Sequence, residues 1–367
     1  MKLRPYSRYF LGLTRLFATV VKGLYYKLKA LASLLVNYSI YYFRRTLLGQ
    51  TDQQARKMDD ATYAHYLKDI NARKELNELS SEETLAAQQA VSAAFTGGPL
   101  TNDNLHVNSL WIGTTLSNIE LLTLQSFIKQ GHKFHLWTYD KLLTKLPEGV
   151  IIEDANEILP RESIFRYNHV NKYGHGKGSV SGFSDIFRYK LLYEKGGWWI
   201  DMDVTCFKAL NTTAPYFFRK HHDLDLVGNV MKCPPKSELM LSCYEEASRE
   251  VNENNTDWHK PIAILNKYVF KNGLQQYIFP FISNVDDWAN IVDYVVGGKP
   301  VPDAYYFIHW MNEEWRSRGI NKNDFRYRSV LGQLMLEAGL IKRPWLPGAY
   351  FFNDLKHLVL LRVYYYS

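Results

Sequence analysis

Between residues 106 and 153 the apolar pattern alternates between strand-like and helix-like segments, which constrains the fold more than any other feature of the chain. Residues 106–113 and 133–139 have the alternation of strands, and 150–153 is a short third one. Residues 119–130 carry apolar side chains at helical spacing. This succession predicts an α/β fold with a largely parallel sheet. Because the ligand crevice of such sheets lies beyond the carboxyl ends of the strands, we expect Trp111 to lie near any ligand.

The chain before this core divides into two segments by composition. Residues 51–95 are polar, favour helix and contain neither proline nor glycine, and the Thr-Gly-Gly-Pro sequence of residues 96–99 ends the predicted helices. We therefore predict a basic amphipathic segment at 1–48, an accessory helical segment at 49–98 and the α/β core at 99–367.

The positive charge of the chain is concentrated in its N-terminal arm. The whole chain carries +7, but residues 1–51 hold nine Lys and Arg and no acidic residue, so residues 52–367 carry −2. A core that binds nucleic acid would be expected to have a basic patch of its own. The charge distribution therefore argues against a nucleic-acid partner.

Apolar residues recur at helical spacing within the arm, from Phe10 to Phe43. A spanning helix needs about 20 mostly apolar residues, whereas the longest uncharged stretch, Ala30 to Phe43, has 14. Each Lys at the membrane centre would cost about 2.5–3.5 kcal/mol, but at the surface it would meet anionic headgroups. We expect peripheral attachment to the cytoplasmic face of a membrane. A signal anchor that places the body in a secretory compartment, or a helix packed on the protein, stays open.

Cysteines, sequons and one glycine-rich loop add little to this outline. Three cysteines show no spacing typical of a disulfide framework or a zinc site: Cys206, Cys233 and Cys243. Three Asn-x-Ser/Thr sequons are close to the number expected by chance: Asn37, Asn211 and Asn254. Residues 171–182 form a Gly/Ser/Lys-rich loop without P-loop spacing, either mobile over a site or part of the surface.

The most informative stretch begins with a helix that starts near Gly182. Asp185 and Arg188 lie three residues apart in it, hence on one face. Gly196-Gly197 ends this helix, and a short apolar strand at residues 198–200 follows. A helix, a double glycine and a buried strand in this order favour a functional role for the acidic pair that follows.

Asp201 and Asp203 follow this strand, separated by one residue. Because residues i and i+2 of a strand point the same way, we expect both carboxylates to converge on one point in the crevice. Two acids there repel each other, and one pKa rises unless a cation lies between them. Mg²⁺ or Mn²⁺ is the natural partner, bridging carboxylate and diphosphate oxygens and stabilising a departing diphosphate as a Lewis acid.

Residues 185–204, DIFRYKLLYEKGGWWIDMDV, resemble the DXD sugar-binding region of glycosyltransferase family 32 and its relatives, which include the glucosylating clostridial toxins. The positions in register with that pattern are Asp185, Arg188, Leu192, Gly196, Gly197, Trp199, Asp201 and Asp203. The resemblance extends over residues 105–210 and resumes at 305–320. It implies a GT-A type, Rossmann-like core and glycosyltransferase activity on a nucleotide-sugar donor, with UDP-sugars favoured.

The resemblance also implies roles for single residues. Trp111 would stack on the base of the donor, and Asp185 would bind sugar hydroxyls. Arg188 would lie by the sugar or the diphosphate. Asp203 would bind Mn²⁺ or Mg²⁺ directly, while Asp201 would hold a ribose or sugar hydroxyl and touch the metal through water. Asp185, Arg188 and Asp201 form the expected catalytic group, and relatives retain the anomeric configuration.

A second matching piece, YYFIHWMNEEW at residues 305–315, supplies the remaining candidates. In the related enzymes a C-terminal residue often completes the metal site. His309 is the first choice here and Glu313 the second. Asn312 and Trp315 match positions that contact the donor. The sequence departs from the pattern because Trp310 comes one residue early, so the third metal ligand stays open between His309 and Glu313.

Two other classes of protein fit parts of the pattern. Asp201, Asp203 and Thr205 match the DxDxT motif of haloacid-dehalogenase phosphatases, whose first Asp is a nucleophile, with Asp286-Asp287 as a later acidic pair. That motif normally lies near the start of its domain, and the interpretation leaves Arg188 and Trp111 unexplained. A non-catalytic membrane scaffold is the third possibility. The acceptor of a transferase, a saccharide or a lipid-linked molecule, is not set by the sequence.

Overall fold

The computed structural model describes residues 81–171, 174–343, 348–354 and 356–357. These residues lie within one compact unit, 68–357. The predicted basic segment, 1–48, and the accessory segment up to residue 80 lie outside the described residues. No helix in the described ranges is long and apolar enough to cross a membrane.

The described part of the chain contains both helices and strands. The helices are α1 (Ser81–Ala94), α2 (Asn102–Leu105), α3 (Asn118–Lys129), α4 (Ser181–Lys195), α5 (Glu238–Glu250), α6 (Lys260–Lys271), α7 (Trp288–Val295), α8 (Asn312–Ser317) and α9 (Val330–Glu337). The strands are β1 (His106–Trp111), β2 (Lys133–Thr138), β3 (Val150–Asp154), β4 (Gly197–Ile200), β5 (Val204–Cys206), β6 (Phe217–His221), β7 (Asp225–Cys233), β8 (Ile278–Phe279) and β9 (Phe307–His309). Short 3-10 helices span Ala155–Glu157, Arg161–Ser163 and Gln275–Tyr277.

Seven strands form the main sheet, in the order β3-β2-β1-β4-β7-β6-β8. The pairs β1–β2, β1–β4, β2–β3 and β6–β8 are parallel, and β7 is antiparallel to both β4 and β6. A smaller sheet pairs β5 with β9. The mostly parallel sheet with its intervening helices confirms the predicted α/β, Rossmann-like core of GT-A type. The strands and the helix predicted between residues 106 and 153 all occur, with ends shifted by one or two residues.

Local sequence signals set the ends of the helices that flank the site. Ser117 and Glu120 form a capping box at the start of α3. The Glu120 side chain accepts the backbone N–H of Ser117, and the Ser117 side chain accepts a backbone N–H of the first helical turn. α4 ends at Gly196, whose φ of 68° lies in the left-handed region. A Cβ there would lie 2.5 Å from Pro235, so no larger residue fits at this turn.

The apolar core lies on both faces of the sheet. Trp198 and Trp199 are successive residues of β4 and point to opposite faces, each fully buried in a different cluster. Trp199 packs with Phe187 of α4, while Trp198 packs with Phe217 of β6. The short strand between the double glycine and the DXD motif is therefore buried on both sides, as predicted.

The end of α1 packs into this core instead of standing apart from it. Phe95 is buried against the rings of Phe217, Phe279 and Tyr306. The Thr96 N–H donates to the carbonyl of Asn211. The boundary predicted at residue 98 thus marks the end of a helix, but packing continues across it.

Candidate active site

Arg188 links the two predicted sugar-binding carboxylates. Its Nη1 lies 2.8 Å from Oδ1 of Asp185, one turn earlier in α4, and its Nη2 lies 2.8 Å from Oδ1 of Asp201. Arg188 is only 5% exposed. Asp185 and Arg188 therefore lie on one face of the helix, as predicted, and form a buried ion pair.

Two residues of the sheet shape the space that Arg188 occupies. Gly228 of β7 leaves room for the guanidinium, because a Cβ at this position would lie 2.5 Å from Nη1. The guanidinium carbon lies 5.0 Å from the centre of the Trp199 ring, within the range of a cation–π interaction. The indole N–H of Trp199 donates to Oδ1 of Asp201 at 2.6 Å. Trp199 and Arg188 together fix the orientation of the Asp201 carboxylate.

Burial sets the protonation of this pair of carboxylates. Burial raises the pKa of Asp185 to about 6, against the opposing effect of Arg188 and with the support of Asp201. Burial also raises the pKa of Asp201, again opposed by Arg188 and supported by the charge of Asp203. The pKa of one member of the DXD pair, Asp201, is thus raised as expected, but burial contributes more to this shift than the repulsion from Asp203 on which the expectation rested.

Asp203 follows Asp201 in a turn and not in a continuous strand. The chain turns after β4, and Asp203 lies in this turn before β5 begins, so the reason given above for the convergence of the two carboxylates was wrong. Oδ2 of Asp203 accepts the Asn312 N–H at 2.6 Å and lies 3.4 Å from Nε2 of His309. Each carboxylate of the motif has a different basic partner, Arg188 for Asp201 and His309 for Asp203.

His309 is held from both its ring and its backbone. Its Nδ1 lies 2.8 Å from Oδ1 of Asp286. Asn284 accepts the His309 N–H at 2.8 Å and donates to its carbonyl at 3.0 Å. Burial would lower the pKa of His309, but Asp286 and Asp203 outweigh it and raise the pKa to about 10. The ring is therefore an imidazolium at neutral pH, with Nε2 directed at Asp203.

Asp286 owes its own orientation to a buried arginine. Arg219 of β6 is 2% exposed and forms a two-pronged pair with Asp286, with N–O distances of 2.6 and 2.7 Å. Its Nε donates to Ser283 Oγ at 2.6 Å. This pairing overcomes the effect of burial and, with His309, holds the pKa of Asp286 well below its usual value. In the sequence, Asp286 was a candidate only through the phosphatase pattern. The other residue of that acidic pair, Asp287, caps α7.

The second candidate for the metal ligand, Glu313, is engaged elsewhere. Its carboxylate pairs with Arg316 at 2.5 and 2.7 Å and accepts the Gly176 N–H at 3.0 Å. Glu314 pairs with His175 of the same glycine-rich loop at 3.0 Å. The described residues of that loop thus lie against α8, and the structure favours His309 over Glu313 as the neighbour of Asp203.

The two tryptophans of the 305–315 segment lie in the core. Trp315 is 1% exposed, donates to the carbonyl of Trp310 at 2.7 Å and packs on Trp288. Trp310 is fully buried and donates to Thr205 Oγ1 at 2.8 Å. In this conformation Trp315 has no surface open to a donor, so it contributes to the site by supporting the segment that carries His309 and Asn312.

Trp111 lies where the strand pattern placed it, at the end of β1. It is half-buried, packs against the core cluster that contains Trp198, and donates its indole N–H to the carbonyl of Thr115 at 3.1 Å. The ring is therefore oriented by the loop after β1 while part of it stays open to solvent. Its stacking on a base remains a prediction.

Replacing this ring gives a direct test. Trp111→Ala should weaken donor binding by about 1–3 kcal/mol, the range of base–aromatic stacking, with turnover of bound donor less affected. A calorimetric titration of the protein with the nucleotide measures the change in affinity. Unchanged affinity together with a lower melting temperature would show that Trp111 serves only the core.

Asn229 is a candidate that the sequence analysis missed. The Asp201 N–H donates to the carbonyl of Asn229 across the β4–β7 pair, and residues opposite each other on antiparallel strands share a face. The side-chain amide of Asn229 is buried, and neither its oxygen nor its nitrogen has a hydrogen-bond partner in the described part of the chain. Buried amides are normally paired, so this one is expected to bind a ligand beside Asp201. A single Asn in the apolar strand LVGNVM was the available signal.

The atoms around Asp203 suit a hard divalent cation in kind. They comprise two carboxylates, the His309 imidazole and the Asn312 amide oxygen, which is buried without a partner among the described residues. They do not form a ready cluster, because no group of three His, Cys, Asp or Glu placed to hold a metal occurs in the described ranges. The positive His309 now lies beside Asp203, and it would have to release a proton before binding a metal.

Residues 123–217 match the family described as glycosyltransferase sugar-binding region containing DXD motif. No curated protein matches the chain by sequence. Among solved structures the chain is similar to one named PaToxG Glycosyltransferase, with 11% identity, a TM-score of 0.33, and coverage of 82% of this chain and 97% of that one.

The family match lies on α3 through β6 and includes Asp185, Arg188, Asp201 and Asp203. It confirms the prediction of a glycosyltransferase, with the DXD sugar-binding region within residues 123–217. Enzymes of this class generally use a nucleotide-sugar donor and a divalent metal. The match also removes the reason for treating the DxDxT pattern as that of a phosphatase.

Proposed function

We propose that the protein transfers a hexose from a nucleotide sugar, with UDP-sugars favoured, to a saccharide or glycolipid acceptor, with retention of configuration and dependence on a divalent metal. The observation that carries the proposal is the buried Arg188, which joins Asp185 to Asp201 beside Asp203. Such an array of fixed charges in a crevice can orient a sugar diphosphate without reorganisation. Retention rests on the family resemblance.

Different residues would bind different parts of the donor. Trp111 stacks on the base at the end of β1. Asp185 binds sugar hydroxyls, Asp201 binds a ribose or sugar hydroxyl, and Arg188 lies by the sugar or the diphosphate. Asn229 adds its unpaired amide to the same face. Because the pKa of Asp185 is raised to about 6, this carboxyl changes protonation near neutral pH and its hydrogen-bonding role changes with it.

Asp203 would hold the metal directly, with Asp201 acting through water and His309 joining after loss of its proton. The metal, Mn²⁺ or Mg²⁺, would stabilise the negative charge that develops on the departing diphosphate. Asn312 holds Asp203 by its backbone N–H, 2.6 Å from Oδ2, and so fixes this carboxylate in the crevice.

Donor hydrolysis tests the proposal. The full-length protein is incubated with Mn²⁺ and a panel of UDP- and GDP-sugars, and release of the nucleoside diphosphate is measured. Slow hydrolysis of one donor, lost on chelation of the metal, is expected. Activity on simple phosphomonoesters alone, or no binding of any nucleotide, would contradict the proposal.

The N-terminal arm is proposed to hold the enzyme on the cytoplasmic face of an anionic membrane. Deleting residues 1–48 should release the protein from vesicles and leave donor hydrolysis nearly unchanged, because the arm carries the +9 charge and the rest of the chain −2. Binding of the intact protein should weaken as salt rises, since screening acts over about 8–10 Å at 0.1–0.15 M. Sedimentation with vesicles measures both effects. Protein that resists extraction by salt and carbonate would indicate a spanning anchor instead.

A further inference from the structure

Lys322 lies at the edge of the candidate site on a segment that follows α8. Its ammonium is 2.5 Å from Oε1 of Glu120 in the first turn of α3. Asn118 donates to Asn323 at 3.2 Å and provides a second link between the two segments. The side chain of Lys322 is 23% exposed, whereas that of Glu120 is 1% exposed. A buried carboxylate thus holds a lysine whose charged end still reaches solvent.

The same carboxylate connects Lys322 to the DXD motif. Oε1 of Glu120 also accepts from the Asn312 side chain at 3.0 Å, and the Asn312 N–H donates to Asp203 at 2.6 Å. Asn312 thus joins the carboxylate that holds Lys322 to the carboxylate of Asp203 through two hydrogen bonds.

The helix that holds Lys322 follows Trp111 closely in the chain. Glu120 belongs to the helix that begins directly after the β1 loop, which starts at Trp111. A nucleoside diphosphate with its base on Trp111 and its metal on Asp203 must run between these two residues. The Lys322 ammonium, held by Glu120, lies toward the Asp203 end of this path, because Asn312 donates both to Glu120 and to Asp203.

We infer that Lys322 binds the diphosphate of the donor. An ammonium has three donors, and within the described residues one is used, by Glu120. Lysine binds phosphate as a point charge. The buried Glu120 carboxylate fixes the position of this ammonium. This inference rests on the proposed nucleotide-sugar donor and adds to it the residue that recognises its phosphates.

The test compares ligands that differ only in the diphosphate. UDP and uridine are titrated into the wild-type protein and Lys322→Gln in the presence of Mn²⁺. Because a hydrogen bond to a charged group is lost, the dissociation constant for UDP should rise about 10- to 100-fold, while that for uridine should not change. Lys322→Arg should restore most of the affinity, since it keeps the charge.

Two further variants separate binding from folding. The double variant Glu120→Gln with Lys322→Gln avoids an unpaired buried carboxylate and should show the same selective loss of UDP. Lys299→Gln, an exposed lysine that contacts only Asn290 and Tyr294 among the described residues, should bind both ligands as the wild type does.

The outcomes are distinct. An equal loss of UDP and uridine, or no loss of either, in a folded Lys322→Gln variant would overturn the inference and leave the proposed function standing. Wild-type protein that binds UDP no better than uridine would overturn the proposed donor and this inference with it.

Discussion

Asp203→Asn should lower donor turnover by about 100-fold or more and remove the Mn²⁺ dependence of nucleotide binding. An amide oxygen is a poorer ligand for a hard cation than a carboxylate, and the negative charge that would draw the metal to this turn is lost. The fold should survive, because the Asp203 carbonyl still accepts the Trp310 N–H and the new amide oxygen can still accept the N–H of Asn312. Turnover by the purified variant and its Mn²⁺ titration measure the effect.

Asp225→Asn is the matched control for this substitution. Asp225 is exposed at the start of β7 and has a φ of 58°, a conformation that Asn tolerates well. It makes the same change of charge at the surface and should leave both turnover and metal dependence unchanged. If Asp203→Asn keeps half or more of the wild-type turnover, the metal role of Asp203 is wrong.

The part of the site that could be predicted from sequence is the part that is local in the chain. Asp185 and Arg188 are one helical turn apart, and Arg188 is 13 residues from Asp201, so helix geometry, the double glycine and the short strand were enough to bring them together. The position of Trp111 at the end of β1 followed in the same way from local strand alternation, whereas its contact with a ligand stays a prediction.

The parts that escaped prediction depend on contacts between distant segments. Asp286 lies 23 residues from His309 and 67 from Arg219, and nothing in the spacing of the three residues indicates a buried chain of charges. Gly228 matters because its lack of a Cβ leaves room for Arg188, which only the packing of β7 against α4 reveals. Asn229 is a candidate site residue only because its side-chain amide is buried without a hydrogen-bond partner among the described residues.

Motif matching predicted the segment in which site residues lie, but not always whether a side chain faces the site or the core. Trp315 fell in register with a donor-binding position, yet the indole is buried against Trp288 and Trp310. Glu313 was the alternative metal ligand, yet it pairs with Arg316. The prediction for residues 201–203 failed in a similar way. We assumed the alternation of a strand, whereas these residues form a turn between two strands.

Arg188→Met should destabilise the protein by about 3–5 kcal/mol at neutral pH, the cost of removing one partner from a buried ion pair. Asp185 and Asp201 would then be left buried side by side without their shared cation. A carboxyl whose folded pKa exceeds its unfolded value binds more protons in the folded state, so stability falls as pH rises through that range. Loss of Arg188 raises both pKa values further, and the difference from wild type should therefore be larger at pH 8 than at pH 5. Urea denaturation at the two pH values measures it.

Lys190→Met on the same helix separates this effect from a general loss of charge on α4. Lys190 is partly exposed and lies 3.9 Å from Glu194, a surface pair worth at most about 1 kcal/mol, so this variant should stay close to wild type at both pH values. Donor binding should be absent in Arg188→Met and intact in Lys190→Met. If Arg188→Met is as stable as Lys190→Met and shows no dependence on pH, the two carboxylates are not held together by Arg188. The arrangement proposed for the sugar would then be wrong at its centre, because Asp185 and Asp201 can share one face of the crevice only while a cation compensates their repulsion.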